Sequence, residues 1–104
     1  MTEAPCLVKL PFRIHFMLVH GPGSSPTVRM LLVEITRGQI IYEGFGAWPQ
    51  FSRWIAQLLE IGIPAPELAA ARKLLRRKRL ATIKEVQVSQ PDIELLGLSR
   101  ANTA

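Results

Sequence analysis

Residues 28–45 read VRMLLVEITRGQIIYEGF, and this stretch decides the fold. Val28, Met30 and Leu32 alternate with Leu31, Val33 and Ile35, a period of two that predicts a strand over residues 28–36. Both alternating sets are apolar, which puts the strand in the interior of a sheet. Arg37-Gly38 supplies a short hairpin turn, and residues 39–45 form the next strand, with Ile40 and Tyr42 opposed to Ile41, Glu43 and Phe45.

Towards the N-terminus, Phe12, Ile14, Phe16 and Leu18 alternate with Arg13, His15, Met17 and Val19, which predicts a strand over residues 12–19 after Pro11. The segment His20-Gly-Pro-Gly-Ser-Ser-Pro26 between these strands is a turn-rich loop, because glycine permits positive φ and each proline removes a donor. Towards the C-terminus, Gly44 and Gly46 loosen the chain, and Trp48-Pro49 opens a helix. Pro49 suits the first helical position, where its missing N–H has no intrahelical partner.

Phe51, Trp54, Ile55, Leu58 and Leu59 form an apolar stripe at three- and four-residue spacing, stopped by Gly62. Pro64 and Pro66 enforce a corner before a second helix, roughly residues 67–79, with Leu68, Ala71, Leu74 and Leu75 facing inward. Residues 81–89 read as a fourth strand of poor alternation: Ile83, Glu85 and Gln87 oppose Thr82, Lys84, Val86 and Val88. Ser89 with Asp92 three residues on resembles a helix start, and Gly97 closes the turn carrying Ile93, Leu95 and Leu96.

The predicted architecture is therefore α+β: a mainly antiparallel four-stranded sheet in the order β-β-β-α-α-β, with a short C-terminal helical turn and helices gathered on one face. With 104 residues, 48% apolar and 20% charged, the chain reads as one globular domain. It is expected to be ordered over about residues 7–97, with 1–6 and 98–104 as loose ends.

Charge is concentrated. The formal net charge is +5, yet Arg72, Lys73, Arg76, Arg77, Lys78 and Arg79 alone carry six positive charges with no acid among them. The rest of the chain is near neutral, so the basicity is one local patch, which suits a local partner surface. On a continuous helix Arg72, Arg76 and Arg79 fall on one face at i, i+4 and i+7, with Lys73 and Arg77 beside them. Guanidinium groups pair with phosphates and carboxylates through two charge-assisted hydrogen bonds at once. The five residues Arg72, Lys73, Arg76, Arg77 and Arg79 are thus the candidate partner- or phosphate-binding set. Its partner is an acidic protein or a nucleic acid, although no zinc-finger, helix-turn-helix or RNA-binding sheet signature accompanies it. A solvated helix end complementing its own dipole would carry the same charges.

Among the aromatics, Phe51 and Trp54 share the stripe of Leu58 and read as core, while Trp48 at the helix entrance is a candidate semi-exposed anchor. The glycine-rich loop of residues 20–25 lacks the Gly-Lys-Ser/Thr ending of a phosphate-binding loop and leads into a strand. His15 and His20 are five apart on one strand, hence on opposite faces, and cannot jointly hold a metal. Cys6 has no fixed neighbour, and Glu34 and Glu43 straddle the hairpin turn, where strand carboxylates usually face a Lys or Arg.

No residue set has the spacing of an active site, so the chain is read as a non-enzyme that needs no metal and no cofactor. A lone cysteine fits a reducing compartment. A signal peptide is not expected, because Glu3, Lys9, Arg13 and His15 break the required pattern. Apolar runs such as Met30 to Val33 fall far below the ~20 residues that span a bilayer. The expectation is a cytoplasmic, self-associating binding module with a basic helix for an acidic partner. The alternative is a nucleic-acid-binding regulator using that helix. Self-association follows from the two apolar faces of residues 28–35, since two helices can cover only one face of the sheet.

Overall fold

A computed structural model describes residues 8–19, 26–36 and 38–101. Cys6, the loop of residues 20–25 and Arg37 of the hairpin turn lie outside the described residues. The elements run β1 (Lys9–Val19), β2 (Thr27–Glu34), β3 (Gln39–Gly46), α1 (Trp48–Ile61), α2 (Ala65–Arg76), β4 (Ala81–Ser89), α3 (Gln90–Leu96) and β5 (Ser99–Arg100). All pairings are antiparallel, and the sheet order is β4-β1-β2-β3-β5. The α+β class and the antiparallel sheet agree with the sequence reading; among the described residues the sheet has five strands where four were expected. Ser99 and Arg100, expected in a frayed tail, pair with Glu43 and Tyr42. No helix among the described residues is long and apolar enough to cross a membrane.

β2 occupies the centre of the sheet, as its two apolar faces require. On one face, Phe12, Ile14 and Phe16 of β1 meet Val28, Met30 and Leu32 of β2, and all are buried under the helices. Phe51, Trp54 and Leu58 of α1 and Leu68, Ala71 and Leu75 of α2 close this core, each group at helical spacing. Burial of each large side chain contributes about 1.5–3 kcal/mol. The chain leaves β3 on one side of the sheet and returns as β4 on the other side, beside β1. The α1–α2 pair therefore crosses the sheet, and its apolar stripes bury one face only.

The poor alternation of β4 has a specific cause. Phe12 pairs with Val86 and Ile14 with Ile83, so Lys84 and Glu85 together oppose Arg13 alone. This β-bulge resets the parity of the strand. Ala81, Ile83, Val86 and Val88 consequently all reach the core, and the expected face assignment of Val86 and Val88 with Thr82 and Lys84 is reversed.

Gly44 and Gly46 do not loosen the chain; they belong to β3 and face the helices. A Cβ on Gly44 would lie 2.5 Å from Leu98 Cδ2 and 3.1 Å from the Trp54 ring. The glycine leaves room for the indole to lie against the strand. Trp54 Nε1 donates to the Leu96 carbonyl at 2.9 Å, and Gln57 Nε2 donates to the Leu95 carbonyl at 2.8 Å. These are C-terminal carbonyls of α3, which lack intrahelical donors. At its other end α3 carries the expected capping box of Ser89 and Asp92, and Gly97 ends it in the left-handed conformation.

Trp54→Phe is expected to lower unfolding free energy by about 2–3 kcal/mol, because it leaves the Leu96 carbonyl buried without a donor and creates a small void. Urea denaturation checks this: the midpoint should fall with the slope unchanged.

Candidate functional site

The basic run sits where α2 ends. The structure stops the helix at Arg76, three residues before the expected end, so Arg79 does not share a helical face with Arg72 and Arg76. Lys78 N donates to the Leu75 carbonyl and Arg79 N to the Leu74 carbonyl, each at 2.9 Å. These two bonds form a Schellman-type C-terminus with Lys78 at its left-handed position, φ 60°. Glycine normally occupies this position, because a side chain there crowds the backbone. With lysine present, the sequence carries no stop signal, which is why the helix reads too long.

Lys73, Arg76, Arg77, Lys78 and Arg79 are exposed, and Arg72 is half-buried with its Nη2 3.3 Å from Ser52 Oγ on α1. Among the described residues no acidic side chain forms an ion pair with any of the six; the ion pair present is Arg29 with Glu43, at 3.6 Å. Their own helix dipole offsets only about half a unit charge. Most of the positive charge at this end of the molecule is therefore uncompensated among the described residues.

An adjoining feature escaped the sequence reading. α1 and α2 form an antiparallel hairpin through the Gly62–Pro64 corner, and a groove of about 330 Å³ runs between them. Ile55 and Leu59 line it from α1, and Ala65, Leu68 and Ala69 from α2. Arg72, Lys73 and Arg76 form its flank on the side of the basic run. Leu59 is 51% exposed. In the sequence, Leu59 and Ile55 merge into the core stripe of Leu58 and Trp54; in the structure Ile55 is half-buried against the core and Leu59 is exposed, a division visible only once the two helices are packed.

Trp48, the candidate aromatic anchor, is half-buried and meets Phe51 edge-to-face at 5.4 Å. It precedes Ser52 by one helical turn and so lies at the same end of the hairpin as the cations. Phe51 and Trp54 are buried, in line with their core reading.

A larger cleft, about 420 Å³, lies at the far end of β1 and β4 between Leu10, Phe12, Glu34, Tyr42, Ile93 and Arg100. At it the Tyr42 hydroxyl donates to Gln90 Oε1 at 3.2 Å. Glu34 and Glu43 do not approach one another. Glu34 shares the core face with Leu32, whereas Glu43 pairs with Leu31 on the open face beside Arg29.

The open face of the sheet carries Met17, Val19, Leu31, Val33 and Phe45. Leu31 is buried by its neighbours, Met17, Val19 and Val33 are half-buried, and Phe45 is exposed with the Arg29 guanidinium 5.6 Å from its ring centre. His15 lies on this face with Nδ1 3.0 Å from Thr82 Oγ1. Burial, and then the nearby Arg13 charge, push its pKa below the ordinary histidine value. His20, the other histidine, is outside the described residues. Among the described residues no group of three His, Cys, Asp or Glu side chains could hold a metal ion.

No family model, curated protein or solved structure matches the chain.

Lys78→Gly should raise stability by about 1 kcal/mol, by relieving the left-handed lysine and thinning the like charge around it. Urea or thermal unfolding of the two proteins side by side measures it; an unchanged or lower stability would mean that the lysine stem is held by compensating contacts.

Proposed function

We propose that this chain is a small non-catalytic binding module that receives an acidic protein at the C-terminal end of α2. The observation that carries this reading is the cluster Arg72, Lys73, Arg76, Arg77, Lys78 and Arg79, without an ion-pair partner among the described residues. Two further features support it. The left-handed Lys78 keeps a cation where glycine would relieve strain, and such costs concentrate at functional positions. The groove beside the cations is apolar, a surface that a protein partner can use and that a phosphate backbone cannot. Its single cysteine fits a module of the reducing cytoplasm.

The test is fluorescence anisotropy with poly-L-glutamate and with duplex DNA, over a range of salt. Poly-L-glutamate should bind at physiological salt, and a triple change of Arg72, Arg76 and Arg77 to Ala should weaken it about tenfold or more with an unchanged circular-dichroism spectrum. Tighter binding of DNA, with a steep salt slope, would move the reading to a nucleic-acid-binding protein. Binding to neither probe at low salt overturns both readings.

Self-association belongs to the same proposal. The helices shield one face of the sheet, and the open face presents Phe45, Val33, Met17 and Val19 beside the Arg29–Glu43 pair. A two-fold arrangement lets such a surface cover itself, with Arg29 of each copy facing Glu43 of the other. Light scattering at micromolar concentration should give twice the 11.6 kDa of one chain, and Phe45→Glu should return it to one. A single-chain mass for the unaltered protein rules the pairing out.

A further inference from the structure

We infer that the α1–α2 groove is the seat of a short amphipathic acidic helix of the partner protein, whose apolar side chains enter between Ile55, Leu59 and Ala69 while its carboxylates meet Arg72, Lys73 and Arg76. The inference rests on the acidic-partner reading above and adds the partner's chemistry.

Three observations converge. The groove is open at the small residues of its α2 side, Ala65 and Ala69, with Leu59 and Ile55 lining it from α1. Its volume of about 330 Å³ compares with the ~150 Å³ cavity that holds a benzene-sized group, so two apolar side chains fit. The charge lies to one side. Ala65, Ala69, Arg72 and Arg76 follow one another at helical spacing along α2, so the groove runs from an apolar end near Ala65 to a cationic end at Arg76. Arg72 is held at the rim by Ser52 Oγ, which fixes a guanidinium between the two helices.

This polarity selects the occupant. An extended polyanion would use the cations and leave Leu59 in water. A neutral apolar helix would fill the groove and leave three cations without counter-charge. A helix with two or three apolar residues at i, i+3 or i+4, i+7 and acidic residues beside them satisfies both ends, which is the usual way a helix is read in a groove. The 12 residues of α2 span ~18 Å, so a partner helix of about 12 residues matches the groove in length.

The experiment is selection of a random linear-peptide phage library on the full chain, followed by titration of a synthetic peptide bearing the enriched sequence. Enrichment of apolar residues at helical spacing with interleaved Asp and Glu is expected. Ala69→Leu fills the groove from an exposed helical position and should weaken the peptide about tenfold without lowering stability, as should Arg72→Ala with Arg76→Ala. Leu59→Ser, at an exposed position, is a second groove variant and should weaken the peptide likewise.

Enriched acidic peptides that lack the apolar spacing and ignore Ala69→Leu would overturn the groove while leaving the acidic-partner reading intact. Uncharged or basic peptides would overturn both, and a selection that enriches nothing overturns the groove. Vesicles of phosphatidylserine and phosphatidylcholine form a parallel arm. Binding to them that Ala69→Leu removes would make an anionic lipid surface the occupant and refute the peptide. Loss of the two-chain mass in Ala69→Leu would make it a second copy.

Discussion

The Trp54 indole ties α1, β3 and α3 to one another. Trp54 projects from α1 onto β3 in the space left by Gly44, and its N–H caps the Leu96 carbonyl of α3. Three elements distant in sequence meet at this side chain. Its cost is a glycine in a strand interior, and its return is a ring with almost all of its surface out of water and its one donor satisfied. Gln57, one turn further along α1, secures the neighbouring carbonyl, so α3 is fastened by side chains of α1 as much as by its own seven residues. Once α3 is fixed, Leu98 packs on the core and the chain reaches β3 as β5.

The route of the chain determines which surfaces remain. The α1–α2 pair must carry the backbone from β3 to the far side of β1, and in doing so it spends its apolar stripes on one face of the sheet. Among the described residues no helix packs on the opposite face, where Arg29 reaches both the Phe45 ring and Glu43. The same crossing leaves Leu59 exposed and Ile55 half-buried at the groove, with Ala65 and Ala69 of α2 lining its other side. Both surfaces proposed for partners are thus products of one topological requirement. The cationic run falls beside the helical groove because α2 ends there, at the turn that leads into β4.

Residues with strong local chemistry were legible before any tertiary structure. The two-sided apolar pattern of residues 28–35 identifies the central strand, Pro49 and Gly62 bracket α1, and Ser89 with Asp92 marks the start of α3. Each signal acts over a few residues, through sterics or a single hydrogen bond, so neighbours in sequence suffice to reveal it. The charge of residues 72–79 was legible for the same reason, although which cations share a surface was not.

What escaped depends on contacts between distant residues. The bulge at Lys84 and Glu85 arises because β4 must keep both Ile83 and Val86 on the core side of β1, a demand set by Ile14 and Phe12 some seventy residues earlier. Two residues at Ser99 and Arg100 carry no strand pattern of their own; they pair because Gly97 turns the chain towards β3. The end of α2 at Arg76 requires a left-handed lysine, which local propensity disfavours and the path from Leu75 to Ala81 imposes. The groove exists only when two helices are laid side by side. Local sterics and periodicity therefore determined the elements, and long-range packing decided their faces, their ends and the candidate site, because a side chain's exposure depends on partners that its own neighbours in sequence do not name.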